Sequence, residues 1–474
     1  MTLRTAGNTL VDEHGRQRVL QGINLVDKGR PGSAEPADFQ GDWSAEDLEH
    51  LAGIGLDSIR LGVNWAATEP APGQYAPAHL QWLVDQLDLA HEAGLSVILD
   101  GHQDLYSQSF GNGAPAWATI TQHPFTPTAL WSDAYLESPA VHEAYDAFWA
   151  DAPGPGGTGI QTRFVSMWGM LAQQLGPHPA VIGYDVLNEP APGAASAHIF
   201  ETIIATFATL TGQDPMTVAA DFTDPQAKLA QLAHLDDPAL HRRLGDELAP
   251  MLATFEEQSV HGFYTRVVTR IREADPDGLI LREHDYFGNL GIPVPLPALE
   301  DHAWVYSPHG YDLVVDTEAM PLASDQRVTT IFERAAETAE RLGVPVVVGE
   351  WGAFGGHEGI GPHAEVQLDL FDRHAWSWFY WCWEPGFAAT EAAQRLRRPR
   401  PRAVAGRDLR CGRSAGGSWK AAWSGTEAGA PSEFWIPPER DVELLVGGRR
   451  QELTRDGTRV LIAPGDGEHR LRVS

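Results

Sequence analysis

Short apolar runs rich in β-branched residues alternate with longer amphipathic stretches from the start of the chain to about residue 385. Residues 19–26, 56–63, 96–100, 181–188, 279–282, 304–306, 345–348 and 378–381 read as buried strands. Helical periodicity fills the spaces between them, over 77–93, 163–175, 256–274, 327–342 and 362–374. Ser44 followed by Asp47 resembles a capping box, with Asp where Glu or Gln is usual. Eight strands in alternation with helices predict an α/β fold, a closed (β/α)₈ TIM barrel. The strand count, more than the periodicity of any one segment, separates it from an open doubly wound sheet.

The pattern changes after Pro385. Short strand-like runs separated by turns (418–423, 433–436, 442–446, 459–462 and 469–473) predict a C-terminal all-β sandwich domain. The expected division is a barrel over residues 1–390 and a sandwich over 391–474. Two long excursions interrupt the barrel, a Gly/Pro/aromatic segment at 103–159 and a largely helical one at 191–255. Connections beyond about 15 residues are usually lids or binding walls, although a surface insertion without function is the alternative for the second.

Composition narrows the chemistry. The chain has 474 residues, 43% hydrophobic, and a formal net charge of −30. That charge repels phosphate backbones, so no nucleic-acid partner is expected. Cys382 and Cys411 are too few for a disulfide framework or a zinc site, and one bridge between them is the most they allow. No run approaches the roughly 18 apolar residues of a membrane span, and the first ten residues lack the apolar core of a secretory signal. The expected location is cytoplasmic or, with a leader missing from this sequence, secreted. Residues 395–413 carry eight arginines and no lysine. They are expected to pair with the acidic barrel, with transient contact to an anionic lipid surface as the alternative. Nothing in the sequence specifies an oligomeric state.

Glutamates close two of the strand-like runs, Glu189 in Asn188-Glu189-Pro190 and Glu350 in Gly349-Glu350-Trp351. A carboxylate at the tip of a buried strand is costly to desolvate. It is well placed for chemistry, because the active site of a barrel gathers at that end. Two such carboxylates facing one cavity are what glycosidic bond cleavage requires, and separations of about 5–5.5 Å imply retention. Glu189 is assigned as acid/base and Glu350 as nucleophile. Asn188 is placed to hydrogen-bond a sugar 2-hydroxyl. Arg60 is placed to orient a carboxylate, or else makes an ordinary ion pair. His102 and Asp104 suit sugar hydroxyls, and Lys28 is a further hydroxyl contact. Tyr311 and His309 are placed to hydrogen-bond the nucleophile and the acid, respectively. Trp381 and Trp383 offer indole faces to a pyranose, or belong to the core. No metal ligand set and no cofactor motif is seen.

These residues resemble a known family. Asn188-Glu189-Pro190 with Glu350 is similar to the retaining glycoside hydrolases of family 5. Arg60-Leu-Gly-Val-Asn-Trp65 with Glu69-Pro-Ala-Pro-Gly-Gln-Tyr75, Asp100-Gly-His-Gln-Asp104 with Gly113-Ala-Pro-Ala-Trp117, and Arg398-Pro-Arg-Pro-Arg-Ala-Val-Ala-Gly406 resemble endoglycoceramidases. The likeness runs from about residue 15 to 406. It implies cleavage of the β-bond between glycan and ceramide, without a cofactor, using Glu189, Glu350, Asn188, His102, Asp104, His309, Tyr311, Lys28 and the two tryptophans. A lipid aglycone needs an apolar channel, expected from Leu105, Phe110, Trp117, Phe125, Leu130 and Trp131. The long 191–255 insertion and Glu283-His284 depart from the pattern, which leaves a β-glucosidase, a cellulase-like enzyme or a steryl glucosidase as alternatives. A non-enzymatic carbohydrate-binding barrel would be expected to lose one glutamate, and both are present.

Overall fold

The computed structural model describes residues 2–33, 35–315, 317, 319–414 and 416–474. Among these residues, eight parallel strands close a barrel. They are β1 Gln21–Leu25, β2 Ser58–Gly62, β3 Ser96–Asp100, β4 Val181–Asp185, β5 Leu279–Glu283, β6 Trp304–Ser307, β7 Val347–Gly352 and β8 Ser377–Trp381. Each pairs with its successor, and β8 returns to β1. Pro308 has no N–H to give to the ladder and interrupts β6. The strand resumes at His309–Gly310, which sets His309 opposite Glu350 on β7, and a bridge between Tyr306 and Val346 completes the ring.

Strand alternation divides the apolar residues between two layers. On β3, Val97 and Leu99 pack with the helices, whereas Ile98 joins Ile182, Leu279, Leu281, Val305, Val347 and Phe379 along the axis. Full burial of each such side chain contributes about 1.5–3 kcal/mol. The helices 77–92 and 160–175 lie where the periodicity predicts. Ser44 caps helix Ala45–Gly53, and Asp47 returns its carboxylate to the Ser44 N–H at 2.8 Å. The helix expected over 256–274 differs at its start. A π turn, Glu256–Val260, joins it to the preceding helix Pro238–Phe255.

The first excursion contains helix Pro139–Trp149. The second folds into helices Ala195–Thr211, Pro215–Phe222, Pro225–Leu232 and Pro238–Phe255. Three of these begin with Asp-Pro. Asp214, Asp224 and Asp237 each accept a backbone N–H of the first turn, and proline occupies the position whose N–H needs no partner.

Two antiparallel sheets form the sandwich over a core that includes Val404, Trp419, Trp423, Phe434 and Leu471. The division at about residue 390 differs from expectation at the start of the chain. Leu3–Ala6, Thr9–Asp12 and Gln17–Arg18 do not belong to the barrel sheet. They join the sandwich sheet through pairing of Gln17 and Arg18 with Val404 and Ala403. The arginine-rich run, expected to pair with the acidic barrel, also supplies strands Arg400–Val404 and Gly406–Arg413. It also grips helix Gly361–His374 of the barrel. Arg398 pairs with Asp372 at 2.7 Å and Asp369 at 3.0 Å, and Arg395 with Glu365 at 2.7 Å. Trp419 of the sandwich donates to Asp372 at 3.0 Å. Cys382 and Cys411 are not joined in a disulfide.

Asp372 thus accepts from both a guanidinium and an indole across the joint. Asp372→Ala leaves the Trp419 indole N–H without its acceptor and Arg398 with Asp369 alone, and should cost about 1–3 kcal/mol. Thermal unfolding should start at lower temperature in the variant, and an unchanged profile would count against the clamp.

Candidate active site

Ile59 and Leu61 face the helices, so Arg60 between them points into the barrel, where it is fully buried. Its guanidinium reaches the ends of five strands. It contacts Asn24 at 3.0 Å, Asp100 at 2.8 Å, Asp185 at 3.0 Å, Glu283 at 3.0 Å and Glu350 at 2.7 Å, with Asn188 just beyond β4 at 2.9 Å. A five-donor fork suits this geometry, whereas a lysine could not bridge it.

Above this floor stand the two glutamates. Glu189 adopts φ +42°, a left-handed conformation that turns the chain at the tip of β4. Its N–H donates to Glu283 Oε2 at 2.7 Å. Its side-chain Oε1 accepts from Asn289 Nδ2 at 2.7 Å and His309 Nδ1 at 3.0 Å. Glu350 accepts from Arg60 on one oxygen and from the Tyr311 hydroxyl on the other, at 2.5 Å. An oxygen of Glu189 and one of Glu350 lie within 4.8 Å of each other, and both residues line one cavity.

Burial opposes charge on His309, but Glu283, Glu350 and Glu189 outweigh it and hold its pKa well above the ordinary value. Glu283 shows the reciprocal effect. Burial pushes it up, yet His309 and Arg60, with the Glu189 N–H, bring it down to about 2. Glu350 is raised, because burial and the Glu189 charge exceed the pull of His309 and Arg60. Asp185 is raised strongly by burial and by Glu283, against the pull of Arg60 and His309. Glu189, His309 and Glu350 are close enough to surround a cation. A protonated His309 has no lone pair with which to ligate one.

The remaining sequence-predicted residues divide by position. Lys28, His102, Asp104, Asn188, Tyr311 and Trp381 line the cavity. His102 stacks on Trp381 with centroids 5.0 Å apart and hydrogen-bonds Asp100 at 2.9 Å. Lys28 pairs with Asp104 at 2.8 Å and lies 4.9 Å from the centre of the Trp381 ring. Arg60 and His309 lie beneath the glutamates and hold them from below. Trp383 is a correction. It does not line the cavity: its backbone N–H donates to the Asn24 carbonyl at 3.0 Å, and its ring packs against the core, edge-on to Trp43 at 5.8 Å.

The expected apolar channel also moves. Leu105 is buried in the core, Phe110 stacks on Phe125, and Trp117 packs against Trp65. Of the six residues expected to form it, Leu130 and Trp131 reach the cavity. Its apolar wall comes instead mainly from the second excursion, with Phe200, Ile203, Phe207, Phe222, Leu232 and Leu248. The cavity measures about 230 Å³. It shares Leu130, Phe222, Leu313 and Trp381 with a wider groove of about 1020 Å³.

Sequence reasoning missed Asn24, Asp185 and Asn289, and marked Glu283 only as a departure from the family pattern. Asp185 and Glu283 are charged residues at strand ends, the same signal that singled out Glu189. Asn289 sits in the turn Tyr286–Leu290, a hundred positions from the carboxylate it meets, and nothing local marks it.

A parallel barrel with facing carboxylates beyond β4 and on β7 has the architecture of a hydrolase for glycosidic bonds. The chain belongs to glycosyl hydrolase family 5, whose cellulase model matches residues 12–386. Endoglycoceramidase I of Rhodococcus hoagii (strain 103S) is 33% identical over 196 residues, 41% of this chain and 38% of that protein. An endoglycoceramidase of Hydra vulgaris is 29% identical over 210 residues, 40% of this chain and 41% of that protein. The matched stretch spans about two fifths of these relatives. Endo-glycoceramidase II from Rhodococcus sp., solved with a five-membered iminocyclitol, has a TM-score of 0.73 at 24% identity over 99% of both chains, which shows a shared fold.

Arg60→Leu would leave Asp100, Glu283 and Glu350 buried without their common countercharge. A loss of about 3–5 kcal/mol is expected in chemical denaturation. An unshifted midpoint would mean that the floor does not depend on Arg60.

Proposed function

We propose that the protein is a retaining β-glycosidase that cleaves the glycan–lipid bond of glycosphingolipids by double displacement. One observation carries this reading. Two carboxylates within 4.8 Å open into a cavity whose far wall is hydrocarbon. The glycan would lie over Trp381, with His102, Asp104, Lys28 and Asn188 at its hydroxyls, and the lipid would lie against Phe200, Ile203 and Phe207. The names of the endoglycoceramidase relatives support the same substrate class.

In the first step the ionised Glu350 attacks the anomeric carbon as the glycosidic C–O bond breaks, and Glu189 gives its proton to the departing lipid oxygen. Water then gives a proton to Glu189 and attacks the same carbon. The glycosyl ester breaks, and Glu350 recovers its charge. Arg60 and Tyr311 donate hydrogen bonds that favour the anion of Glu350 and offset its burial. His309 and Asn289 fix Glu189 through Oε1 alone, which leaves the other oxygen for the leaving group.

The family model's cellulase name favours a polysaccharide instead. The apolar wall argues against it, because sugar hydroxyls placed there would lose water without gaining partners. Among the described residues no helix is long and apolar enough to cross a membrane. Transient contact with a lipid surface is the proposed route to substrate.

Fluorogenic ceramide glycosides, steryl glucosides and cellodextrins assayed side by side should show turnover of the ceramide glycosides. Turnover confined to cellodextrins, or to steryl glucosides, would displace the proposal. Glu350→Gln should reduce kcat by roughly three or more orders of magnitude, and surviving activity would remove Glu350 as nucleophile. Because Glu350 must be ionised and its pKa is raised, activity should fail as pH drops through a value above the ordinary 4.5. An acid limb of kcat/KM below 4.5 would contradict this.

A further inference from the structure

Glu283 closes β5, is almost wholly buried and does not line the cavity. It nonetheless touches the proposed acid/base by two routes. Oε2 accepts the Glu189 N–H at 2.7 Å, and Oε1 faces His309 Nε2 at 3.3 Å while His309 Nδ1 meets Glu189 Oε1 at 3.0 Å. Main chain and carboxyl of Glu189 are thereby held by a single residue on the neighbouring strand. Gly349 permits the close approach of His309 to β7, since a Cβ there would fall 2.6 Å from Nε2.

We propose that Glu283 is a positioning residue, which fixes Glu189 through its backbone and keeps the His309 ring donating to the Glu189 carboxyl from behind. The inference rests on the reading of Glu189 as acid/base. It adds a third glutamate that never meets substrate.

The groups that face His309 decide its protonation. They are Glu189 and Asp185 from β4 and its turn, Glu283 and His284 from β5, and Glu350 from β7. His284 opposes a charge on the ring, and burial drives it toward the neutral form. The raised pKa of Asp185 makes it a weak counterion. Glu350 loses its charge whenever it carries the glycosyl ester. Glu283, held ionised by His309 and Arg60, is the carboxylate whose charge persists through both halves of the reaction. Without it the ring would give up its second proton more readily, and a neutral ring donates through one nitrogen instead of two.

The sign of the pH effect follows. In Glu283→Gln the His309 pKa should fall, so activity is lost as pH rises through the new value. The variant should keep a larger fraction of wild-type kcat at pH 5 than at pH 7, with KM little altered. Nitrogen NMR of the His309 ring should show imidazolium at pH 7 in the wild type and earlier titration in the variant. A fraction independent of pH, with an unmoved ring titration, would reduce Glu283 to a structural role and overturn the proposal. If Glu283→Gln fails to fold, the wild-type spectrum decides, because a neutral His309 at pH 7 refutes it. Failure of the acid/base reading would look different: Glu189→Ala would then lose as much on an activated aryl glycoside as on a glycolipid.

Discussion

Arg60 is a fully buried charge, and the mouth of the barrel is organised around satisfying it. Desolvating a guanidinium costs several kcal/mol, which is recovered only where acceptors of good geometry surround it. Here they come from the ends of β1, β3, β4, β5 and β7 and from Asn188 beyond β4. A closed barrel brings those strand ends to one point, and an open sheet would not. Closure therefore does more than pack Ile98, Leu281 and Val347. It lets one cation hold Glu350, steady Asn188 and share Glu283 with His309. The crowding of acids falls hardest on Asp185, whose pKa burial and Glu283 push up.

The site joins a polar floor to an apolar wall, and the two arise from different kinds of sequence. The floor is built from residues at strand ends, whose direction follows from pleat and register. The wall is built from four helices that the barrel does not require, three of them started by local capping at Asp214, Asp224 and Asp237. Their apolar faces meet over the glutamates and leave room between Phe200, Phe207 and Leu248. Strand geometry sets the chemistry, and the insertion sets what is accepted beside it.

This difference explains what could be read beforehand. The barrel was legible because each strand is a continuous apolar run and the run is repeated eight times. Glu189 and Glu350 were legible because a carboxylate is conspicuous at the end of such a run. Asn289 was not, since its partner is a hundred residues away. Trp383 and Trp381 look alike in sequence, yet Trp381 lines the cavity while Trp383 packs on the core beside Trp43. The apolar wall was sought in the aromatic segment 103–159, most of which packs on itself. An amphipathic helix announces that it has an apolar face, but only tertiary contacts reveal what that face covers. The same holds at the chain start, where three short strands with no strong pattern complete a sheet formed with residues four hundred positions later.

The central claim is that Glu350 attacks the anomeric carbon while Glu189, on the facing side of one cavity, handles the proton. Intact-protein mass spectrometry with peptide mapping, after exposure to a 2-deoxy-2-fluoro β-glycoside, tests it most directly. The fluorine slows the second step more than a good leaving group slows the first, so the glycosyl ester accumulates. The account predicts one glycosyl unit attached to Glu350. A label on another residue, or turnover with no adduct and inverted product, would contradict it.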